Sequence, residues 1–227
     1  KCWKLTALNE ETGETEHYTA NFMVGCTGYY NYDQGYKPDF PDESDFRGQI
    51  VHPQHWPEDL DYTGKKVVVI GSGATAITLV PTMAEKAAHV TMLQRSPTYL
   101  MPLPSTDKLT LALQKILPEK TAYRLTRARN IAISRFLYQR SRKSPQFMRR
   151  LFLSIIKRKV GDTADMRHFT PDYNPWDQRL CVVKDGDLFQ AMKAGKAAIA
   201  TDHIDRFTET GIRLKSGEEL AADIIIP

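Results

Sequence analysis

Lys65-Lys66-Val67-Val68-Val69-Ile70-Gly71-Ser72-Gly73-Ala74-Thr75-Ala76 is the stretch that decides the fold. Its first half is a short continuous apolar run, the pattern of a strand buried on both faces of a parallel sheet. Its second half reads Gly-x-Gly-x-x-Ala and opens a helical stretch running to about Ala87, with His89 to Leu93 as the next strand. Strand, glycine turn, helix and strand form a βαβ unit, the nucleotide-binding half of a doubly wound fold. Gly71 permits the tight turn, Gly73 lets backbone approach a pyrophosphate, and Ala76 keeps the helix close to the sheet. A bare glycine pattern is weak, but this one lies directly between a strand and a helix N-terminus, where an anion is favoured.

The second strand ends in Gln94-Arg95-Ser96. An NAD or FAD site places a carboxylate there to accept from the adenine ribose. An arginine instead can fork two hydrogen bonds to a 2′-phosphate. The expected ligand is therefore NADP(H), with Gly71, Ser72, Gly73, Ala74, Thr75, Ala76, Gln94, Arg95 and Ser96 as candidate binding residues. The plainer alternative makes Arg95 a solvated strand-end cation. No second such glycine pattern occurs in the chain, so a separate FAD site is not encoded in it.

Working outward, Trp3–Leu8 and Tyr18–Val24 read as a hairpin across the turn-rich Asn9 to Gly13. Residues 28–64, rich in Gly, Pro, Asp and Tyr, read as a long structured loop. From Thr106 to Val160 the pattern is helical, with Ser144-Pro145 as a start signal. Beyond it Phe147, Met148, Leu151, Phe152, Ile155 and Ile156 recur at helical spacing. After Cys181 the chain returns to mixed α/β: Asp187 caps a short helix ended by Gly195, and Ser216-Gly217 divides two strands. Leu220 to Pro227 reads as a buried strand with no following element, and the first residues run straight into a strand. Both ends have the look of cuts in a longer protein.

The 227 residues, 41% hydrophobic and 26% charged, exclude wholesale disorder and collagen-like character. Cys2, Cys26 and Cys181 are too few and too scattered for a disulfide framework or a Cys-rich zinc site, so no metal is expected and a reducing cytoplasm is the default compartment. The net charge of +4 conceals an asymmetry. Arg124 to Lys159 holds twelve Lys or Arg and no carboxylate, leaving nineteen basic against twenty-seven acidic residues elsewhere. An otherwise acidic chain without basic–aromatic interleaving is not a nucleic-acid binder. The basic block reads as packing plus solvation, as a face for peripheral contact with anionic lipid, or as a surface for another partner.

Residues 46–57 match F-x-G-x-x-x-H-x-x-x-W-P through Phe46, Gly48, His52, Trp56 and Pro57. This resembles the signature of Baeyer–Villiger monooxygenases, a branch of the class B flavoprotein monooxygenases. Cys26-Thr-Gly-Tyr-Tyr30, Gly71 to Ala76, Leu93-Gln-Arg-Ser-Pro97 and Pro175-Trp-Asp-Gln-Arg-Leu-Cys181 most resemble the ethionamide-activating type within that family. The resemblance covers essentially the whole chain, the helical middle least specifically. It implies an α/β fold: a Rossmann-like NADP-binding domain with a helical insertion and flanking β pieces of an FAD domain. The implied divisions are 1–64 (FAD-domain remnant and linker), 65–104 (first NADP-binding part), 105–172 (insertion) and 173–227 (second part).

It further implies an enzyme in which NADPH reduces FAD, and the reduced flavin and O₂ form a C4a-peroxyflavin that oxygenates a ketone or a sulfide or thioamide. Such a chain alone, without the remainder of the FAD domain, would be inactive. By the same resemblance Arg179 is the active-site arginine over the flavin, a role suited to a permanently charged donor. Many relatives carry Lys before it where this chain has Gln178, and Gly where it has Asp42. His52 reads either as a hydrogen-bonded loop anchor or, by resemblance, as part of a linker coupling domain movement to catalysis. A pyridine-nucleotide-disulfide reductase-like domain is the competing enzyme class, and a non-enzymatic NADP-binding module the competing non-enzyme. The first needs a Cys-x-x-Cys or Cys-x4-Cys pair that the chain lacks.

Overall fold

In a computed structural model, residues 2–28, 31–33 and 35–227 are described. Tyr29 and Tyr30 of the Cys-Thr-Gly-Tyr-Tyr stretch lie outside them. The chain divides into two compact units after Tyr36, so residues 37–64 fold with the α/β body.

The first unit is an antiparallel hairpin of β1 (Trp3–Leu8) and β2 (Thr15–Ala20). The second strand starts three residues earlier than its apolar pattern suggests, because the turn sets the register. The Asn9 amide donates to the Glu14 carbonyl at 2.9 Å, and Gly13 takes φ 72°. Leu8 is thereby forced opposite Thr15.

In the second unit a five-stranded parallel sheet runs in the order β3 (Gln49–Ile50), β12 (Ile224–Ile226), β4 (Lys66–Ile70), β5 (His89–Gln94), β8 (Ala197–Thr201). The apolar runs split by parity. Val67, Val69, Ile224 and Ile226 enter the core shared with α1 (Ala74–Met83) and α5 (Asp187–Lys193). Val68 and Ile225 face the other way, onto a three-stranded antiparallel sheet of β9 (Ile204–Thr208), β10 (Gly211–Leu214) and β11 (Glu219–Ala221), where they meet Phe207, Ile212 and Leu214. Both faces of the parallel sheet are covered, which is why its strands lack alternation.

The expected single strand at 220–227 is two. Asp223 makes the corner between β11 and β12: its amide donates to the Lys66 carbonyl at 2.8 Å and its carboxylate accepts from the Lys66 amide at 2.7 Å. Regular helix in α1 stops at Met83, two residues past Pro81, and turns carry the chain back to the sheet, where the Ala88 amide donates to Lys65. Asp187 is the first residue of α5, and its cap position belongs to Gly186 in the left-handed region.

The helical stretch is three helices, α2 (Lys108–Ile116), α3 (Glu119–Lys143) and α4 (Pro145–Val160), broken before Pro118 and Pro145. Ser144 stands at the start of α4, but its hydroxyl caps nothing. On α4 the buried positions are Met148, Phe152, Ile156 and Val160, while Phe147 is exposed. β6 (Leu100–Leu103) and β7 (Cys181–Lys184) pair in parallel on either side of this insertion.

The Phe46–Pro57 motif is a fastener. Phe46 packs edge-on to Phe207, β3 joins the sheet beside β12, and Trp56 lies on the main core. Gly48 is squeezed: a Cβ there would stand 2.4 Å from the Asp223 carbonyl oxygen and 2.4 Å from the Phe46 ring. Since a backbone carbonyl cannot swing aside, Gly48→Ala should cost about 2 kcal/mol, an overpacking penalty. Thermal melts should fall by about 5 °C; an unchanged melt would remove this role from Gly48. Asp42, where the family resemblance leads one to expect Gly, sits at φ 56°, a left-handed backbone that Asp tolerates.

Candidate functional site

At the C-terminal end of β4 the chain makes the turn that the glycines predict. Gly71 takes φ 125°, which a side chain would resist, and its amide donates to Leu93 at 2.7 Å. Gly73 caps α1 without a side chain, and apart from its own chain neighbours nothing in the protein lies within 4 Å of where its Cβ would be. Nothing inside the protein therefore demands glycine at 73, whereas a group approaching from outside would. Among the described residues the amides of Ser72, Gly73, Ala74, Thr75 and Ala76 donate to no protein acceptor. They form a helix N-terminus prepared for an anion. Ala76 is buried against the sheet, as helix packing requires, and Thr75 is exposed.

Two clefts flank this turn and share Ser72 and Ser96. The first, about 390 Å³, is lined by Gly71, Ser72, Arg95 and Ser96, with Phe40, Asp202 and His203 among the facing residues. The second, about 270 Å³, is lined by Gly73, Ala74, Thr98, Tyr173, Arg179 and Cys181 among others. The two arginines singled out from sequence thus stand on opposite sides of one glycine turn. Neither guanidinium makes an ion pair or hydrogen bond among the described residues. Asp202 is the one carboxylate lining either cleft. Its oxygens accept from the Ser216 amide at 3.0 Å and the His203 amide at 2.6 Å; the Ser216 side chain foremost, and then these amides, hold it below the ordinary carboxylate range.

Gln94 is not brought to the cleft. Its side chain is buried, and Nε2 donates to the His168 carbonyl and to Thr201 Oγ1, both at 2.8 Å. It ties β5 to β8 and to the turn at Met166–Phe169, and so anchors the strand end from which Arg95 projects. His52 is likewise engaged locally: its Nδ1 accepts from the Gln54 amide at 3.2 Å and caps the turn Pro53–His55.

Sequence reasoning missed the frame around Arg179. The Tyr99 hydroxyl donates to the Tyr173 carbonyl at 2.8 Å, and Arg149 Nη1 donates to the same carbonyl at 3.0 Å and to the Tyr99 oxygen at 2.9 Å. Arg142 Nη1 donates to Asp177 at 2.6 Å. Trp176, three residues before Arg179, sits at φ 70°, a strained conformation for a bulky residue, with its ring edge-on to Tyr138 of α3 at 5.6 Å. Arg142 and Arg149 lie inside the charge run, where nothing distinguishes a bonded cation from a solvated one.

Cys181 is buried beside this frame, with Sγ directed at the Ser72 carbonyl at 3.7 Å. Burial pushes its thiol above the ordinary range, against the opposing pull of Thr98 and Arg179. Because the thiolate is the nucleophile, Cys181 should alkylate with iodoacetamide more slowly than a free cysteine at pH 8 and gain reactivity only at higher pH. Peptide mass spectrometry at both pH values checks this; fast labelling at pH 8 would contradict it. Among the described residues no group of three or more His, Cys, Asp or Glu is placed to hold a metal ion, and no helix is long and apolar enough to cross a membrane.

A glycine turn with a cleft and an arginine on each side, on a doubly wound sheet with a helical insertion, marks the class: a Rossmann-type fold. A model of the flavin-binding monooxygenase-like family matches residues 1–162, and the chain belongs to that family. It is 58% identical over 220 residues to a probable FAD-binding monooxygenase, AlmA, of Acinetobacter baylyi, covering 96% of this chain and 44% of AlmA. It is 57% identical to the putative FAD-containing monooxygenase MymA of Mycobacterium tuberculosis, over 99% of this chain and 46% of MymA. It is 55% identical to the FAD-containing monooxygenase EthA of the same organism, over 98% of this chain and 46% of EthA. The chain therefore spans a little under half the length of these curated relatives.

Among solved structures, an oxidized steroid monooxygenase bound to NADP superposes with a TM-score of 0.66 at 22% identity, covering 99% of this chain and 51% of that one. A complex of OTEMO with FAD and NADP gives 0.65 at 22% identity, over 99% and 49%. At that identity the likeness establishes the fold.

Proposed function

We propose that this chain is the NADP-binding region of an NADPH- and O₂-dependent flavin monooxygenase that oxygenates ketones, sulfur compounds or both. The observation that carries the reading is the bare glycine turn between Arg95 and Arg179. The amides of 72–76 would hold the pyrophosphate, and Arg95 would meet the 2′-phosphate. Arg179 would keep a fixed positive charge on the other side of the turn, where negative charge develops. FAD, when bound to the whole protein, would supply the redox chemistry that links NADPH, O₂ and the substrate. Residues 65–104 and 173–227 would serve as the two parts of the NADP-binding domain and 105–172 as its insertion; of the stretch 1–64, residues 37–64 belong to the α/β unit as its linker and only the part up to Tyr36 is left as an FAD-domain remnant.

The test is made on the full-length protein. It should purify yellow, NADPH should bleach it without O₂, and NADPH should bind more tightly than NADH. Cyclohexanone and methyl phenyl sulfide then distinguish ketone from sulfur oxygenation. The isolated chain should oxygenate neither. Colourless protein, or equal affinity for the two nucleotides, would overturn the proposal. The three cysteines are free, Cys181 buried and the others exposed, which favours this reading over a disulfide reductase.

The basic stretch supports a second role, peripheral contact with an anionic lipid surface. Of its twelve cations only Arg129 and Arg142 meet a carboxylate among the described residues, and Leu125, Ile131 and Phe136 on α3 are exposed between arginines. Apolar side chains among snorkelling cations suit a headgroup layer. The full-length protein should sediment with phosphatidylserine vesicles and be released by salt; sedimentation equal to that with phosphatidylcholine would remove this role.

A further inference from the structure

We infer that Arg149, on the inserted helix α4, is the positioning residue that holds the Arg179 segment against the glycine turn. The inference rests on the proposed role of Arg179. The Arg179 side chain has no protein partner to aim it among the described residues, and its backbone carbonyl receives only a long bond from Thr98 Oγ1, at 3.4 Å. Its placement must come from the segment that carries it, residues 173–179.

That segment is gripped at its start. The Tyr173 carbonyl accepts two bonds, from Arg149 Nη1 and from the Tyr99 hydroxyl, and Arg149 also bonds the Tyr99 oxygen, closing a three-membered ring of contacts. The Tyr99 and Tyr173 rings meet edge-on at 5.5 Å, and the Tyr173 hydroxyl donates to Thr98 at 3.1 Å. Tyr99 in turn is buried with Met148 and Phe152, the neighbours of Arg149 on α4. The guanidinium is thus held by a packed helix, and its Nη1 offers charge-assisted bonds to the Tyr173 carbonyl and the Tyr99 oxygen, the stronger kind of hydrogen bond. Arg142, which binds Asp177, adds a second and more exposed tie from the end of α3. Arg149 does not line either cleft, so its effect on chemistry must pass through Tyr173 to Arg179. The insertion then does more than cover the domain: it sets where the cation stands.

A double-mutant cycle on the full-length flavoprotein tests this, read as the rate of flavin bleaching by saturating NADPH without O₂. That readout needs no knowledge of the substrate. Arg149→Met, which keeps bulk and removes the donors, should lower the rate about tenfold with the KM for NADPH within about twofold of wild type, a misplacement effect. Arg149→Lys, which keeps one charged donor group, should recover part of the loss. In an Arg179→Ala background, Arg149→Met should add almost nothing, because coupled residues are non-additive. A general structural role would instead give multiplied losses in the double variant. Multiplied losses, or a wild-type rate for Arg149→Met, would overturn the inference. If Arg149→Met does not yield yellow protein, Arg149→Lys and Arg149→Gln complete the cycle in its place, and the same two outcomes decide. A wild-type rate for Arg179→Ala alone would overturn the underlying functional reading, and is told apart because it needs no change at 149.

Discussion

Exchanging Arg95 for glutamate should weaken NADPH binding about a hundredfold and leave NADH binding within about threefold of wild type. The guanidinium lines the cleft that holds Gly71, Ser72 and Ser96, and no carboxylate forms an ion pair with it among the described residues. A hydrogen bond to a charged group contributes about 1.5–3 kcal/mol. Arg95 is exposed, so solvent and salt screen the interaction to about 1.4 kcal/mol for the lost donors, and the repulsion of the introduced carboxylate adds a similar amount. About 2.7 kcal/mol corresponds to a hundredfold in Kd. Arg95→Ala removes the donors without adding repulsion and should cost about tenfold. The sign for NADH separates a specific 2′-phosphate partner from a general one: without that phosphate, the glutamate meets a ribose hydroxyl from which it can accept, and this offsets its repulsion of the pyrophosphate. Titration by flavin or nicotinamide fluorescence at fixed ionic strength gives both constants. Parallel losses for the two nucleotides would mean that Arg95 supports the cleft without reading the phosphate.

The parts of this protein that local chemistry decides were legible from sequence. Val67 to Ile70 cannot be anything but a buried strand once Gly71 and Gly73 follow it, and the helix after them presents free amides by geometry alone. What sequence misassigned was decided by distant partners. Gln94 stands next to Arg95 and shares its place in the motif, yet alternation along β5 turns its carboxamide inward to His168 and Thr201. The apolar run from Leu220 is continuous, but Asp223 finds both backbone groups of Lys66, 157 positions away, and the chain bends there. The hairpin register went to the turn over the apolar pattern. Arg149 was hidden for a different reason. Within a block of twelve cations, helical periodicity separates a basic face from an apolar one, but it does not reveal that one arginine near the boundary meets a tyrosine carbonyl. The motif at Phe46–Pro57 is the reverse case. Its pattern identified the family, while the reasons for Phe46 and Gly48 emerged only with Phe207 and the Asp223 carbonyl beside them.

The largest loss should follow Arg179→Ala in the full-length protein. Of the residues lining its cleft, Arg179 is the one cation, so no neighbour can replace its charge: Gln178 stands where a lysine would offer a second. Removing one preorganised donor from a site of developing negative charge costs about a hundred- to a thousandfold in rate. Oxygenated product should fall by that factor, and flavin bleaching by NADPH by about a hundredfold. NADPH affinity should change little, since the amides at 72–76 and Arg95 are untouched. Arg179→Lys should recover only a fraction: an ammonium keeps the charge but lacks the planar fork and sits on a more flexible stem. Gln178→Lys in the Arg179→Ala protein probes whether charge alone suffices, because it restores a cation one residue away in the same cleft. Little recovery there, with partial recovery in Arg179→Lys, would locate the requirement in the position that Tyr173 and Arg149 enforce. Full recovery would reduce Arg179 to a source of positive potential, and wild-type turnover in Arg179→Ala would remove it from the chemistry altogether.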